Sequence, residues 1–219
     1  MENADLLIQG LNAKMTSFNG VQLYLPDPGA VAAWHKSEIK KNPSARFPFW
    51  AKLWPSSIAI SEYLSENSSL FAGKTILEIA GGLGLPSLVA ASVSREVIYT
   101  DLEPAAVLLF SKLIALNRLT NIHAFTLDWN MFPSELSADI VLLSDVNYDE
   151  KSLDTLFDLI MRLLEKGSVV VLSTPMRLIG REFIARLAGF AFDQQLKTIR
   201  LAGSDNLISI IAFRQPNSI

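Results

Sequence analysis

Lys74-Thr-Ile-Leu-Glu-Ile-Ala-Gly-Gly-Leu-Gly-Leu-Pro-Ser-Leu88 is the stretch whose reading decides the fold. Thr75 to Ile79 is mostly apolar and β-branched, as a buried parallel strand requires, with Glu78 interrupting it near its end. Gly81, Gly82 and Gly84 follow. Then comes an apolar run with Pro86 near its first turn, where a residue without an N–H loses no helical hydrogen bond. The order is strand, glycine turn, helix. Such a turn lets a ligand approach the backbone and aims a helix N-terminus at it.

Two classes of nucleoside site use this unit. Gly82-x-Gly84-x-x-Ser87 is a partial match to the dinucleotide fingerprint, with Ser87 in place of the third glycine. Glu78 is not part of that fingerprint. An acid ahead of a glycine-rich turn resembles motif I of the class I S-adenosylmethionine-dependent methyltransferases. A tight turn with no ligand is the plain alternative.

Composition narrows the field. The 219 residues suffice for one α/β domain with a sizeable core, and 50% of them are apolar and 19% charged. A net charge of −3 argues against a non-specific grip on nucleic acid. Cysteine is absent, so disulfides and thiolate zinc sites are excluded. His35 and His123 stand far apart, which speaks against a histidine metal site or triad; one solvent-facing and one packed histidine is the expectation. Met-Glu-Asn-Ala-Asp at the start lacks the basic region of a signal peptide, so the cytoplasm is the expected location. The longest apolar stretch, Thr75 to Val93, carries Glu78 and three glycines and reads as strand plus helix rather than a membrane span.

Ahead of the central unit, residues 1–45 form an expected N-terminal extension. Ala13 to Phe18 and Val21 to Leu25 flank Asn19-Gly20, a hairpin signal, and Ala30 to Lys40 suits a short helix. The extension is expected to cover one rim of the active site. Lys36, Lys40, Lys41 and Arg46 read as a solvated face. Phe47-Pro-Phe-Trp-Ala-Lys-Leu-Trp-Pro55 places four aromatic rings on a segment that its prolines keep irregular, and core plugging is the expectation for them. A helix from Ser57 to Ser65 follows, with Ile58, Ile60, Tyr63 and Leu64 inward, and Asn67-Ser-Ser is its loop.

After the central unit, acids recur at strand ends. Glu96 to Thr100 is a strand closed by Asp101, placed to accept from ribose hydroxyls or to cap the helix starting at Glu103-Pro104. Ile122 to Leu127 runs into Asp128-Trp129, an acid that can accept from an adenine amine and an indole that can stack on the ring. Asp139 to Ser144 ends in Ser144-Asp145-Val-Asn-Tyr148. A helix from Lys151 to Leu164, a strand from Ser168 to Leu172, a helix from Gly180 to Ala188 and strands Ala191 to Ile199 and Asn206 to Phe213 complete the chain. The expected fold is α/β: a Rossmann-like, seven-stranded, mostly parallel sheet with a closing antiparallel C-terminal hairpin and helices on both faces.

Phe49-Trp50-Ala51-x-x-Trp54-Pro55, Glu78-x-x-x-Gly82-x-Gly84, Thr100-Asp101, Leu127-Asp128-Trp129 and Asp145-x-x-Tyr148-Asp149-Glu150 occur in that order. Together they resemble the lysine-methyltransferase-like group (methyltransferase family 16) of the class I seven-strand methyltransferases, nearest the electron-transfer-flavoprotein β-subunit lysine methyltransferase type. The resemblance implies a methyltransferase domain over 46–219 that uses S-adenosyl-L-methionine. It implies that Trp54, Ala80, Gly81, Gly82, Gly84, Asp101, Trp129 and Ser144 line the cofactor pocket, with motif acid Glu78 and Asp128 counted among the cofactor residues. Asp145 and Tyr148 would face methyl donor and acceptor. The acceptor it implies is a protein lysine, with a small amine as the other possibility, and neither nucleic acid nor membrane as a partner. Oligomeric state is not legible. The family usually has glycine where this chain has Ala80, and alanine resists a positive φ. A nicotinamide-dependent oxidoreductase shares Asp101 and the glycine turn, but Glu78, the Asp-x-x-Tyr loop and the closing hairpin speak against it. A non-catalytic S-adenosylmethionine-binding protein would keep the same pocket.

Overall fold

The computed structural model describes residues 2–177 and 180–216. In chain order the elements are α1 (Glu2–Gly10), β1 (Lys14–Phe18), β2 (Val21–Leu25), α2 (Pro28–Lys41), α3 (Pro55–Glu66), α4 (Ser68–Phe71), β3 (Thr75–Ile79), α5 (Leu85–Ala90), β4 (Glu96–Asp101), α6 (Pro104–Leu116), β5 (Ile122–Thr126), β6 (Ile140–Ser144), α7 (Leu153–Glu165), β7 (Val169–Pro175), α8 (Arg181–Leu187), β8 (Ala191–Leu201) and β9 (Ser204–Phe213).

Seven strands form one sheet in the order β5-β4-β3-β6-β7-β9-β8. β3 pairs in parallel with both β4 and β6, Leu77 lying opposite Ile98 on one side and Val141 on the other. β9 runs antiparallel between β7 and β8 and closes the sheet as the expected hairpin. From β3 the chain proceeds outward through β4 and β5, then returns to the other side of β3 with β6. The sheet therefore reverses its winding between β3 and β6, and the crevice outside their carboxyl ends is where open α/β sheets hold ligands.

Alternation along each strand feeds two cores. Ile76, Val97, Tyr99 and Leu142 face α3, α5 and α6, whereas Leu77, Val141, Leu143 and Val170 face α7 and α8. Leu156, Leu159, Ile160, Leu163 and Leu164 are the buried stripe of α7. α3 is inward at Ile58, Ile60, Tyr63 and Leu64 as expected, and Tyr63 donates to Asp193 Oδ2 of β8 at 2.9 Å.

Leu11, Leu23 and Val31 belong to the same core as α3, α5 and α6. The hairpin turns at Asn19 (φ +46°) and Gly20 (φ +81°), and Asn117 clamps it through Gln22 N–H (2.7 Å) and Gln22 C=O (2.8 Å). α1 has no counterpart in the sequence reading. It packs on α6, with Leu7 and Ile8 against the core and an ion pair from Lys112 to Asp5 at 2.8 Å. The expected loop Asn67-Ser-Ser is instead the start of the short helix α4, and β7 continues past the expected Leu172 to Pro175 because it pairs with β9 as far as Ile208.

Candidate active site

The turn after β3 is built by residues that only this backbone accommodates. Ala80, Gly82 and Gly84 all have positive φ, at +54°, +56° and +70°. Ala80 thus adopts the left-handed geometry that glycine usually supplies, and bears the steric cost. A Cβ on Gly81 would lie 2.4 Å from the Tyr99 ring, and one on Gly84 2.1 Å from the Phe110 ring. Those two rings stack at 3.8 Å, and the Tyr99 hydroxyl donates to the Gly82 carbonyl at 2.6 Å. The turn lies flat on this aromatic pair.

Glu78 is completely buried beneath the turn. Its Oε2 accepts from Ser87 N–H and from the Ser87 hydroxyl, while its Oε1 has no partner among the described residues. Burial outweighs those hydrogen bonds and pushes its carboxyl up to about 8, so it is largely protonated at neutral pH.

Asp101, 6% exposed, caps the following helix as its position suggested and also holds the glycine turn. Its Oδ1 accepts from Glu103 N–H (2.9 Å) at the start of α6, and its Oδ2 accepts from Gly82 N–H (2.8 Å). Burial raises its carboxyl above the ordinary value against those amide bonds. A carboxylate has lone pairs left after two such bonds. Asp128 accepts from Asn130 N–H (2.9 Å) and from its side-chain amide (2.7 Å), capping a short 3₁₀ turn that carries Trp129 against the α7 core.

At the tip of β6, Ser144 Oγ is buried without a partner among the described residues. Asp145 follows with φ +54°, the same value as Ala80, and its N–H donates to Ser173 C=O at 2.8 Å. Both Asp145 oxygens are taken by Arg177, just past β7: Nη2 reaches Oδ2 at 2.9 Å and Nη1 binds Oδ1. The sequence reading missed Arg177, since nothing local links residues so far apart. Tyr148 is half-exposed, and burial with the nearby Asp149 and Asp145 raises its hydroxyl.

The aromatic segment corrects the core-plugging expectation. Trp50 and Leu53 do plug the core, but Phe47 and Phe49 are exposed. Phe49 lies 6.0 Å from the Tyr148 ring and 6.3 Å from the Trp54 ring. Trp54 donates its indole N–H to Phe49 C=O and carries the Lys52 ammonium 4.1 Å from its ring centroid. α2 touches this segment through Trp34 on Trp50 and His35 on Phe47. Among the described residues, no cluster of three or more histidine and carboxylate side chains suits a metal ion, and no helix is long and apolar enough to cross a membrane.

Three comparisons bear on this arrangement. A family model described as lysine methyltransferase matches residues 13–189. The human electron transfer flavoprotein beta subunit lysine methyltransferase is 30% identical over 138 residues, 62% of this chain and 51% of that protein. The human histone-arginine methyltransferase METTL23 is 29% identical over 126 residues, 55% of this chain and 66% of its own. The chain thus spans about half the length of the electron transfer flavoprotein relative. Among solved structures, the N-methyltransferase NodS from Bradyrhizobium japonicum, in complex with S-adenosyl-L-homocysteine, superposes with a TM-score of 0.59 at 17% identity, covering 82% of this chain and 98% of that one. That likeness concerns the fold, and it accords with the Rossmann-like sheet described above. With the family model running across both the glycine turn and the Asp145 loop, the chain belongs to the lysine methyltransferase family.

Proposed function

We propose that this chain transfers a methyl group from S-adenosylmethionine to a nitrogen of a protein side chain, a lysine before all others. One observation carries the reading: a glycine turn pinned to Asp101 and a buried carboxylate, Asp145, that already binds a cation follow the carboxyl ends of the adjacent parallel strands β3 and β6, where the sheet reverses. The residues fit the cofactor's parts. Asp101 has lone pairs free for ribose hydroxyls, Trp129 offers a ring for adenine beside Asp128, and the unpartnered Ser144 Oγ has hydrogen-bonding capacity for the polar end. Glu78 braces the turn from below. Residues 46–219 are the methyltransferase domain in this reading, with 1–45 as its extension.

When bound, S-adenosylmethionine supplies an electrophilic sulfonium methyl. The acceptor's neutral nitrogen forms the new N–C bond as the C–S bond electrons pass to sulfur, so the acceptor gives up a proton before attack. Asp145 draws the cationic acceptor into the crevice, and Tyr148 with Phe49 walls the alkyl stem. The rate advantage comes from alignment and charge placement. Electron transfer flavoprotein beta subunit is the first acceptor to try, after the relative's name. A nucleic acid acceptor fits an acidic chain poorly.

Calorimetric titration with S-adenosylmethionine, S-adenosylhomocysteine and NAD tests the cofactor class. Binding of the first two and not of NAD is expected, and binding of NAD alone sinks the reading. Asp101→Ala is expected to weaken cofactor binding about 10- to 100-fold, the worth of hydrogen bonds to a charged group. Asp145→Ala is expected to keep cofactor binding and to lower transfer, chiefly through a raised KM for acceptor.

Transfer to an arginine nitrogen is the second reading. Asp145 holds a guanidinium through both oxygens, a geometry matched to arginine rather than to an ammonium. Acid hydrolysis of labelled product separates methyl-lysine from methyl-arginine.

A further inference from the structure

Asp145 poses a chemical difficulty for the proposed methyl transfer. A carboxylate within about 4–6 Å of an amine favours its charged form. A lysine amine, with an ordinary pKa of about 10.4, then becomes harder to deprotonate just where a neutral nitrogen is needed. An isolated Asp145 would trap the acceptor in its unreactive state.

The protein places a compensating charge there. The Arg177 guanidinium meets Asp145 through both of its oxygens. The Asp145 side chain is 5% exposed and that of Arg177 38%, so the carboxylate is buried while its partner keeps contact with solvent. The backbone holds the partners in register: Asp145 N–H is bound to Ser173 C=O on β7, the strand that delivers Arg177. Other charged groups reach this point less directly. Asp149 lies on the same loop, and Arg46, Asp101 and Asp149 act on the neighbouring Tyr148 hydroxyl. Glu78 is largely neutral at pH 7, and Lys52 is engaged over Trp54. The direct partner of Asp145 is Arg177.

We propose, resting on the methyltransferase reading of this site, that Arg177 is a positioning residue that cancels the charge of Asp145, so that the acceptor amine is oriented by the carboxylate without being held in its protonated form. The arrangement exchanges acceptor affinity for reactivity. An ammonium binds the neutralised pair more weakly than it would bind a bare carboxylate, and it releases its proton to solvent more readily once bound.

The test is the pH dependence of tritiated-methyl transfer from S-adenosylmethionine into a fixed mixture of denatured total cell protein, for wild-type protein, Arg177→Gln, Arg177→Lys and the double variant Asp145→Asn with Arg177→Gln. Arg177→Gln is expected to lower the KM for acceptor protein and to lower kcat at neutral pH about tenfold for each unit by which the acceptor's pKa rises. Its rising limb moves to higher pH, and its rate converges on wild type at the alkaline end. Arg177→Lys keeps a cation and restores the wild-type limb. The double variant has neither charge, and its limb returns towards wild type although its KM is high. S-adenosylhomocysteine affinity and thermal melting report whether each variant folds. A wild-type limb in folded Arg177→Gln overturns the proposal, as does a double variant shifted as far as the single one. Absence of transfer by the wild-type protein at every pH overturns the methyltransferase reading itself, and this proposal with it.

Discussion

Ser87 donates both its N–H, at 3.1 Å, and its hydroxyl to Oε2 of Glu78, joining the first turn of α5 to the strand beneath it. Ser87 stands where a dinucleotide turn carries its third glycine, which serves close packing of helix on strand. Here the same closeness is used for a hydrogen bond. The departure of Ser87 from one fingerprint and the presence of Glu78 are therefore a single structural fact.

Glu78 makes stability depend on pH. Its carboxyl is neutral in the folded protein up to about pH 8, whereas in the unfolded chain it ionises in the ordinary carboxylate range. Folding therefore takes up a proton between those values. The stabilisation is full below the ordinary range and is lost as the pH rises to about 8. Glu78→Gln keeps an acceptor for Ser87 and does not titrate. The melting temperature of the wild-type protein is expected to fall relative to Glu78→Gln from about pH 5 upwards, levelling above about pH 8. A constant difference across that range would contradict the assignment.

Gly84→Ala places a Cβ 2.1 Å from the Phe110 ring at a φ of +70°. Overpacking and backbone strain together are expected to cost about 3 kcal/mol or more, read from the urea midpoint. Adding Phe110→Leu recovers the packing part and leaves the backbone part, so partial rescue is expected.

Ala80→Gly acts in the opposite sense. Alanine at φ +54° is strained, and glycine relieves that strain at the expense of unfolded-chain entropy. A gain of up to about 1 kcal/mol is expected in chemical denaturation, with S-adenosylhomocysteine affinity unchanged. A loss of stability would mean that the Ala80 methyl packs usefully in the turn.

Phe49 is half-exposed beside Tyr148 and Trp54. Phe49→Ala is expected to change stability by less than about 1 kcal/mol while raising the KM for acceptor protein. Trp50, at 6% exposure in the same segment, is the control. Trp50→Ala is expected to cost about 3–5 kcal/mol, because a buried indole leaves a large cavity.

Much of this molecule is written locally. The β-branched run Thr75 to Ile79, the glycines after it and the acids Asp101 and Asp145 at strand ends specify a parallel sheet and the edge that carries the site, because burial on both faces and tight turns select residue types over a few positions. The amphipathic stripe of α7 and the Asn19-Gly20 hairpin are legible for the same reason. What the sequence left undecided depends on distant neighbours. Whether Phe47 and Phe49 plug a core or line a rim depends on how Trp50 and Leu53 are seated beneath them. α1 exists because α6 offers it an apolar face and Lys112. The left-handed Ala80 is tolerated because Glu78, Tyr99 and Asp101 hold the turn around it from three sides. The pairing of Asp145 with Arg177 arises because β6 and β7 are neighbours whose exits converge, a proximity that only sheet order creates.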